Sequence, residues 1–246
     1  MCLLITLVGV DPGHPIVVAS NRDERRDRPS APPGLFVGQK RRILSPRDRE
    51  AGGTWIGVND RGLFVGLTNL VGASRDLEGA PSRGRLPHLA LDEDGVDAAA
   101  DVVAAAAASA RYRGFQLLVT DGRRARVLTH EAGGQIEDRA FGAGAIVLSN
   151  EHRPGTLHLP GLAAACAADL ALDARWAALR AVLRDEGQVS GHRVLKRGGS
   201  YGTVSSSLIA VQPAEIRALV WDYAAGPPDE APYRGYGNLA RRLVEA

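Results

Sequence analysis

Apolar residues in the first 70 positions come in short runs separated by turn residues, which is typical of β-strands. Asp11-Pro12-Gly13 joins the first two runs and Asn59-Asp60-Arg61-Gly62 joins the next two, so each pair predicts a hairpin. Between the pairs, the Pro- and Arg-rich stretch Arg25–Arg42 is expected to be a loop with one short strand at most. The predicted strands are Leu3–Val8, Ile16–Ser20, Trp55–Val58 and Leu63–Asn69.

Beyond residue 85, helical and strand patterns come in blocks. Helices are predicted at Leu86–Leu91, at the Ala-rich Val96–Ala110 and over the long stretch Leu162–Glu186, which is compatible with a break. The remaining predictions are strands at Phe115–Thr120, Ala125–His130, Ile146–Ser149, Thr203–Val211 and Ile216–Tyr223, and a short helix at Asn238–Glu245. Hairpins give antiparallel sheets, so the chain predicts an α+β fold of two packed sheets with helices outside, as one domain over residues 1–246.

Composition and charge bear on which partners, cofactors and cellular compartment the protein is expected to have. The 246 residues include 30 Lys and Arg against 28 Asp and Glu, and a net charge of +2 gives no reason to expect nucleic acid as a partner. No apolar run approaches the roughly 18–20 residues of a membrane span, and the apolar start lacks a basic leader, so we expect a cytoplasmic protein. Two cysteines exclude a disulfide framework, and no His or Gly motif predicts a metal or a nucleotide cofactor.

Cys2 is the cysteine in a chemically unusual position, directly after Met1. Removal of Met1 would leave a thiol and a free α-amine on one residue. The amine has a pKa of roughly 7.7–8 and the thiol one of about 8.5, so the amine can accept the thiol proton near neutral pH. One residue would then supply both nucleophile and base. The alternative is an ordinary small apolar start to a strand, whereas Cys166 is expected in the core.

Polar residues at strand ends form the second candidate group. Asn21, Arg22 and Asp23 follow the second strand, and a hairpin would return that strand end toward Cys2. A carboxylate at Asp23 can hold the terminal ammonium, and Arg22 can counter a substrate carboxylate. Taken alone, this charged run is also compatible with a solvated loop.

Two asparagines end later strands, Asn69 and Asn150. An Asn amide can donate to an oxyanion, although Asn is also favoured in strand-ending turns. Gly52-Gly53-Thr54-Trp55 and Tyr201-Gly202-Thr203 would allow a close backbone approach before a strand, or would serve as plain hairpin corners.

Taken together and in order, these motifs resemble the NRDE family, also called the transport-and-Golgi-organisation protein 2 family. The resemblance runs to about residue 211. The residues that carry it are Cys2, Asn21-Arg22-Asp23-Glu24, Gly52-Gly53-Thr54-Trp55-Ile56-Gly57, Leu67-Thr68-Asn69, Leu148-Ser149-Asn150 and Tyr201-Gly202-Thr203.

A more distant resemblance is to N-terminal nucleophile hydrolases of the choloylglycine hydrolase and penicillin acylase type. It implies a four-layer αββα sandwich of two mostly antiparallel sheets. It also implies Cys2 as nucleophile, Asp23 as its orienting acid, Asn69 as an oxyanion donor and Asn150 as a group that shapes the site. The residues that it implies for substrate binding are Asn21, Arg22, Trp55 and Thr68.

Two arginines of that hydrolase pattern are replaced here, by Ser20 and within Val204-Ser205-Ser206, so the resemblance does not extend to a clamp for a substrate anion. The first function implied is a Cys2-dependent amidohydrolase or acylase that acts on a small amide or acyl substrate without a cofactor. The second is a haem-binding and haem-trafficking protein without hydrolytic turnover. A partner-binding domain with a vestigial site is the third.

Overall fold

The computed structural model describes residues 2–71, 77–131 and 134–245, and its strands and helices follow the predicted block order. The strands of the sheets are β1 (Leu3–Val8), β2 (Ile16–Arg25), β3 (Ser30–Val37), β4 (Arg42–Asp48), β5 (Ile56–Asn59), β6 (Phe64–Asn69), β7 (Phe115–Thr120), β8 (Ala125–His130), β9 (Ile136–Phe141), β10 (Gly144–Ser149), β11 (Gln188–Val189), β12 (His192–Arg193), β13 (Tyr201–Val211), β14 (Val220–Ala224) and β15 (Tyr233–Gly235). The helices are α1 (Arg85–Leu91), α2 (Val96–Ser109), α3 (Leu162–Ala165), α4 (Leu172–Leu183) and α5 (Asn238–Val244).

Antiparallel pairing organises thirteen of these described strands into two large sheets, and β11 and β12 pair separately. Within the described ranges, the first sheet has the order β10-β1-β2-β13-β14-β15, and the second runs from β3 to β9 in chain order. In the first sheet Leu3 pairs with Asn21 on one side and with Ser149 on the other. The residue before β1 therefore lies between the ends of β2 and β10.

Apolar side chains alternate along the strands and fill three layers of core. On β1, Leu4 and Val8 belong to the core between the sheets, whereas Leu3 and Ile5 belong to the core beneath α4. A third cluster packs α1 and α2 against the outer face of the second sheet. Period-two alternation thus buries both faces of β1. The layers are helix, sheet, sheet and helix, which confirms the predicted αββα sandwich.

The expectation of a loop over Arg25–Arg42 was wrong. β2 continues through the polar residues to Arg25, and short connections lead from it to β3 and from β3 to β4. The polar end of β2 is extended because it pairs with β13, which buries residues that the sequence pattern places in solvent. The prolines of β3 are tolerated because β3 is an edge strand with an irregular register between Ala31 and Gly34.

The predicted helix over Leu162–Glu186 is broken into α3 and α4. Arg175, a wholly buried residue of α4, donates hydrogen bonds to main-chain carbonyl groups at the break, and its Nε lies 3.3 Å from the Asp11 carboxylate. Carbonyl groups left without helical partners need donors, and this guanidinium supplies them. The break therefore has a specific partner that no local propensity reveals.

The start of β14 differs from the prediction, whereas the turn at Gly62 matches it. Pro213–Ala218 is a 3₁₀-helix, so β14 begins at Val220 rather than at the predicted Ile216. Gly62 has a φ of 77°, as the predicted hairpin turn requires. No helix in the described part of the chain is long and apolar enough to cross a membrane.

Candidate active site

Cys2 lies directly before β1, in contact with residues near the ends of β2 and β10. Its backbone N–H donates to Asn150 Oδ1 at 2.7 Å, and its Sγ lies 4.0 Å from the Asp23 carbonyl oxygen. Burial raises the pKa of the Cys2 thiol, and the nearby charge of Asp23 acts in the same direction. The thiol is therefore protonated at neutral pH and needs a base before it can act as a nucleophile.

Asp23 is buried, and β13 holds its carboxyl group. Thr203 Oγ1 donates to Asp23 Oδ1 at 2.7 Å, and the Tyr201 hydroxyl donates to the Asp23 carbonyl at 2.7 Å. Lys196 Nζ lies 3.9 Å from Asp23 Oδ2. The register between β2 and β13 shifts between Thr203 and Ser205, next to this carboxyl group. Such a bulge re-aims side chains, and here it accompanies the Thr203–Asp23 contact.

Burial raises the pKa of Asp23 to about 7, although Thr203 and Lys196 act in the opposite direction. Between about pH 4 and pH 7 the native state therefore keeps a proton that the unfolded chain has released. We expect the Asp23 contribution to the free energy of unfolding to fall by up to about 4 kcal/mol as the pH rises through this window.

Urea unfolding across this pH range, for the native chain and for Asp23→Asn, isolates the contribution from those of other carboxyl groups. The difference between the two proteins should change with pH only below about pH 7. A difference that stays constant from pH 4 to pH 7 would show that Asp23 does not titrate as described.

A cavity of about 270 Å³ opens beside Cys2 between the two sheets. Arg22 lies over the Trp55 ring, with its guanidinium carbon 4.4 Å from the ring centroid, and its side chain is only 5% exposed. Stacking on an aromatic face fixes the guanidinium plane. The described lining residues are Cys2, Arg22, Glu24, Arg28, Asp48, Ala51, Thr54, Trp55, Leu67, Asn69, Ala80, Pro81, Ser82, Arg83, Gly84 and Arg113.

Close backbone contact places the segment 81–84 at this cavity. The Thr54 N–H donates to the Gly84 carbonyl at 2.9 Å. A Cβ on Gly53 would lie 2.4 Å from the Gly84 carbonyl carbon and oxygen, so only glycine allows this approach. The prediction of a close approach at Gly52-Gly53-Thr54-Trp55 is confirmed, and its partner is Gly84.

The structure brings most of the predicted site residues together. Cys2, Arg22, Trp55 and Asn69 line one cavity, and the Cys2 nitrogen and sulfur contact Asn150 and Asp23. What each residue does in a reaction stays a prediction.

Asn21 and Thr68 are not among the described residues that line the cavity. Asn21 shares the helix-facing side of β2 with Ala19, and its amide donates to the Leu183 and Val194 carbonyl groups. Thr68 is wholly buried beside its β7 partner Gln116. Strand alternation and burial direct these two side chains elsewhere, and their contact with substrate stays a prediction.

Several residues that the fold adds to the site have no recognisable signal in the sequence. Lys196 reaches Asp23, and Arg83 and Arg113 reach the cavity, from segments without a recognisable motif. Thr203 lies in the Tyr201-Gly202-Thr203 motif, but its partner became visible only in the β2–β13 register.

Glu151, His152 and His192 are grouped closely enough to be considered as metal ligands, with one ligand atom from each within 4.8 Å of the others. Both ring nitrogens of His152 already have partners, Ser149 Oγ and the Ser190 carbonyl. His192 Nδ1 lies 3.2 Å from Glu151. These contacts account for the cluster as a hydrogen-bonded connection between two loops, and we assign no metal to it.

Comparison with known protein families shows which family the chain belongs to. The family described as Transport and Golgi organisation 2 matches residues 1–158. The chain belongs to this family. The matched range includes Cys2, Asp23, Asn69 and Asn150, so the candidate site lies largely within the part that defines the transport and Golgi organisation family.

Curated family members confirm the relationship over a shorter range. The human "Transport and Golgi organization protein 2 homolog" is 36% identical over 109 residues, which are 43% of this chain and 38% of the human protein. The bovine homolog is 35% identical over the same shares. The chain thus matches less than half the length of these curated relatives.

Solved structures extend the likeness to almost the whole chain. Penicillin V acylase from Agrobacterium tumefaciens has a TM-score of 0.58 at 15% identity, over 91% of this chain and 83% of the acylase. A variant of conjugated bile acid hydrolase from Clostridium perfringens has a TM-score of 0.55 at 11% identity, over 96% of each chain. A Caenorhabditis elegans ortholog of N-acylethanolamine-hydrolyzing acid amidase scores 0.53 at 10% identity, over 85% of this chain and 92% of the ortholog. These likenesses confirm the fold of the N-terminal nucleophile hydrolases.

Proposed function

We propose that this protein is a cysteine amidohydrolase that cleaves a small amide or related acyl substrate at Cys2. The observation that supports the proposal most directly is the 2.7 Å hydrogen bond from the Cys2 nitrogen to Asn150, beside a cavity that also contains Arg22 and Asn69. A nucleophile, an orienting group and amide donors around an enclosed space are the elements that acyl transfer requires.

The proposed reaction begins after the peptide bond before Cys2 has been cleaved. The resulting α-amine donates one N–H to Asn150, which leaves its lone pair for the thiol proton. The sulfur then attacks the amide carbon, the C–N bond breaks, and the leaving amine takes the proton. Water hydrolyses the thioester, which releases the carboxylic acid and restores the thiol.

Intact-mass measurement together with a panel of amides tests the proposal. The active form should begin at Cys2, and rapid quenching should trap one acyl group on that residue. A chain that keeps residues before Cys2 and turns over equally fast would contradict the amine-base mechanism. Hydrolysis without an acyl adduct on Cys2 would contradict the covalent route.

Asn69 is the residue that we expect to donate to the oxyanion. Asn69→Ala should lower kcat about 100-fold and leave KM nearly unchanged, because an oxyanion donor acts mainly in the transition state. Steady-state kinetics give both values. Thr68→Val is the matched control, since Thr68 is the neighbouring residue on β6 and does not line the cavity. An unchanged kcat in Asn69→Ala would assign the oxyanion to another donor.

Haem binding is the other function that the family resemblance implies. Of the described lining residues, only Cys2 has a side chain of a type that commonly ligates haem iron, and the charged walls are unlike an apolar haem pocket. These features favour amide hydrolysis at this cavity. Saturable Soret-band changes in the native chain, lost in Cys2→Ala, would instead favour haem as the ligand.

A further inference from the structure

The arginines of the Cys2 cavity differ in how their charges are compensated. Arg28 lies 2.8 Å from Asp48 and 3.0 Å from Glu50, and Arg22 lies 3.9 Å from both Glu24 and Asp48. The acids of the cavity wall are therefore engaged by Arg28 and Arg22.

Arg83 has a different environment. Its side chain is half-buried and donates to the Gly114 carbonyl at 2.7 Å. Across residues 2–71, 77–131 and 134–245, no carboxylate oxygen lies within 4.0 Å of the charged nitrogens of Arg83 or Arg113, and the negative charges of an ionised Cys2 and of Glu24 act on Arg83 only from outside contact distance. Burial lowers the pKa of Arg83 to about 10, and the positive charge of Arg113 acts in the same direction. Arg83 remains charged at neutral pH.

A half-buried guanidinium without a described carboxylate in contact is costly, and a second cation at the same cavity adds to the cost. A bound anion would remove both penalties. We propose that Arg83, with Arg113 beside it, binds a carboxylate of the substrate, so that the substrates are small amides with a carboxylate near the scissile bond, such as N-acyl amino acids. This inference rests on the proposed amidohydrolase function.

Three features support a carboxylate in particular. A planar guanidinium matches a carboxylate through two parallel hydrogen bonds. Cys2 and Arg83 line the same cavity of about 270 Å³ and interact through their charges, so one small substrate can place its amide at Cys2 and its anion at Arg83. Arg83 also comes from a segment other than those that hold Ser20 and Val204, so it supplies a cation where the distant hydrolase pattern places none.

Paired substrates test this inference. An N-acyl amino acid and its neutral carboxamide, with the same acyl group, should differ by at least about 30-fold in kcat/KM, in favour of the acid. Arg83→Gln should remove the preference mainly by raising KM, and Arg83→Lys should restore part of it. Arg85→Gln is the matched control, because Arg85 is exposed, lies two residues away and does not line the cavity. Equal rates for acid and carboxamide, or a preference that survives in Arg83→Gln, would overturn the anion site and leave the hydrolase proposal intact.

A binding measurement separates the two proposals. Calorimetry on Cys2→Ala should show that the N-acyl amino acid binds at least about 30-fold more tightly than its carboxamide, and that Arg83→Gln in the same background removes the difference. Such binding without turnover by the native chain would sink the hydrolase proposal alone. No difference in binding between the acid and the carboxamide would overturn the anion site.

Discussion

Replacing Cys2 with alanine is expected to lower amide hydrolysis by at least about 1,000-fold. The thiol lies beside Asp23 on the residue whose nitrogen contacts Asn150, and loss of a covalent nucleophile removes the whole reaction path rather than one of its contacts. The free energy of unfolding should change by no more than about 1 kcal/mol, because only one sulfur atom at a half-buried position is lost. Steady-state kinetics and urea unfolding measure the two effects.

Cys166→Ala is the control for thiol chemistry in general. Cys166 is also a half-buried thiol whose pKa is raised by burial, but it follows α3 in the outer helix layer. We expect this variant to keep native kcat and KM. Hydrolysis that persists in Cys2→Ala, or that disappears equally in Cys166→Ala, would contradict the assignment of Cys2 as nucleophile.

Gly53→Ala is expected to lower the free energy of unfolding by about 3 kcal/mol and to weaken substrate binding at the same time. The added Cβ would overlap the Gly84 carbonyl at 2.4 Å, and backbone atoms cannot rotate away as a flexible side chain can. Relief of this overlap must separate residue 53 from the segment 81–84, which carries Arg83. We therefore expect KM for a carboxylate substrate to rise more than KM for its neutral analogue.

Gly142→Ala is the matched control, because no heavy atom lies within 4 Å of the position that its Cβ would occupy. Its free energy of unfolding should change by less than about 0.5 kcal/mol. Chemical denaturation and paired-substrate kinetics of both variants test the prediction. Native stability in Gly53→Ala would show that the two segments are not packed as described.

The sequence predicts the strands well wherever apolar runs are strong and local. The runs at β1, β7 and β8 carry enough apolar residues to define their ends without any tertiary information. The second half of β2 cannot be predicted in this way, because its polar residues are stabilised by partners more than a hundred residues away along the chain, such as Thr203. Polar residues become part of a buried strand only when such partners are present, and here they belong to the candidate site.

The residues of the candidate site likewise fall into two groups: those that local sequence patterns predict and those that only tertiary contacts place there. Cys2, Asp23, Asn69 and Asn150 could be predicted because each lies in a strand or directly beside a strand end, and antiparallel pairing returns strand ends to a common edge. Arg83 could not be predicted, because its place depends on contact between Gly53 and Gly84 across the fold. The sequence is compatible with a break between α3 and α4, but its position could not be predicted, since its stabilising donors come from one buried guanidinium.

The edges of the second sheet have a consequence for how the protein behaves at high concentration. An open strand edge offers unpaired N–H and C=O groups on which another chain can add a strand and begin aggregation. On one edge, Pro32 and Pro33 of β3 have no N–H to offer, and the irregular register bends the strand. On the other edge, β9 exposes Glu137, Asp138 and Arg139. Both edges therefore disfavour strand addition, and the long meander is protected against edge-to-edge self-association.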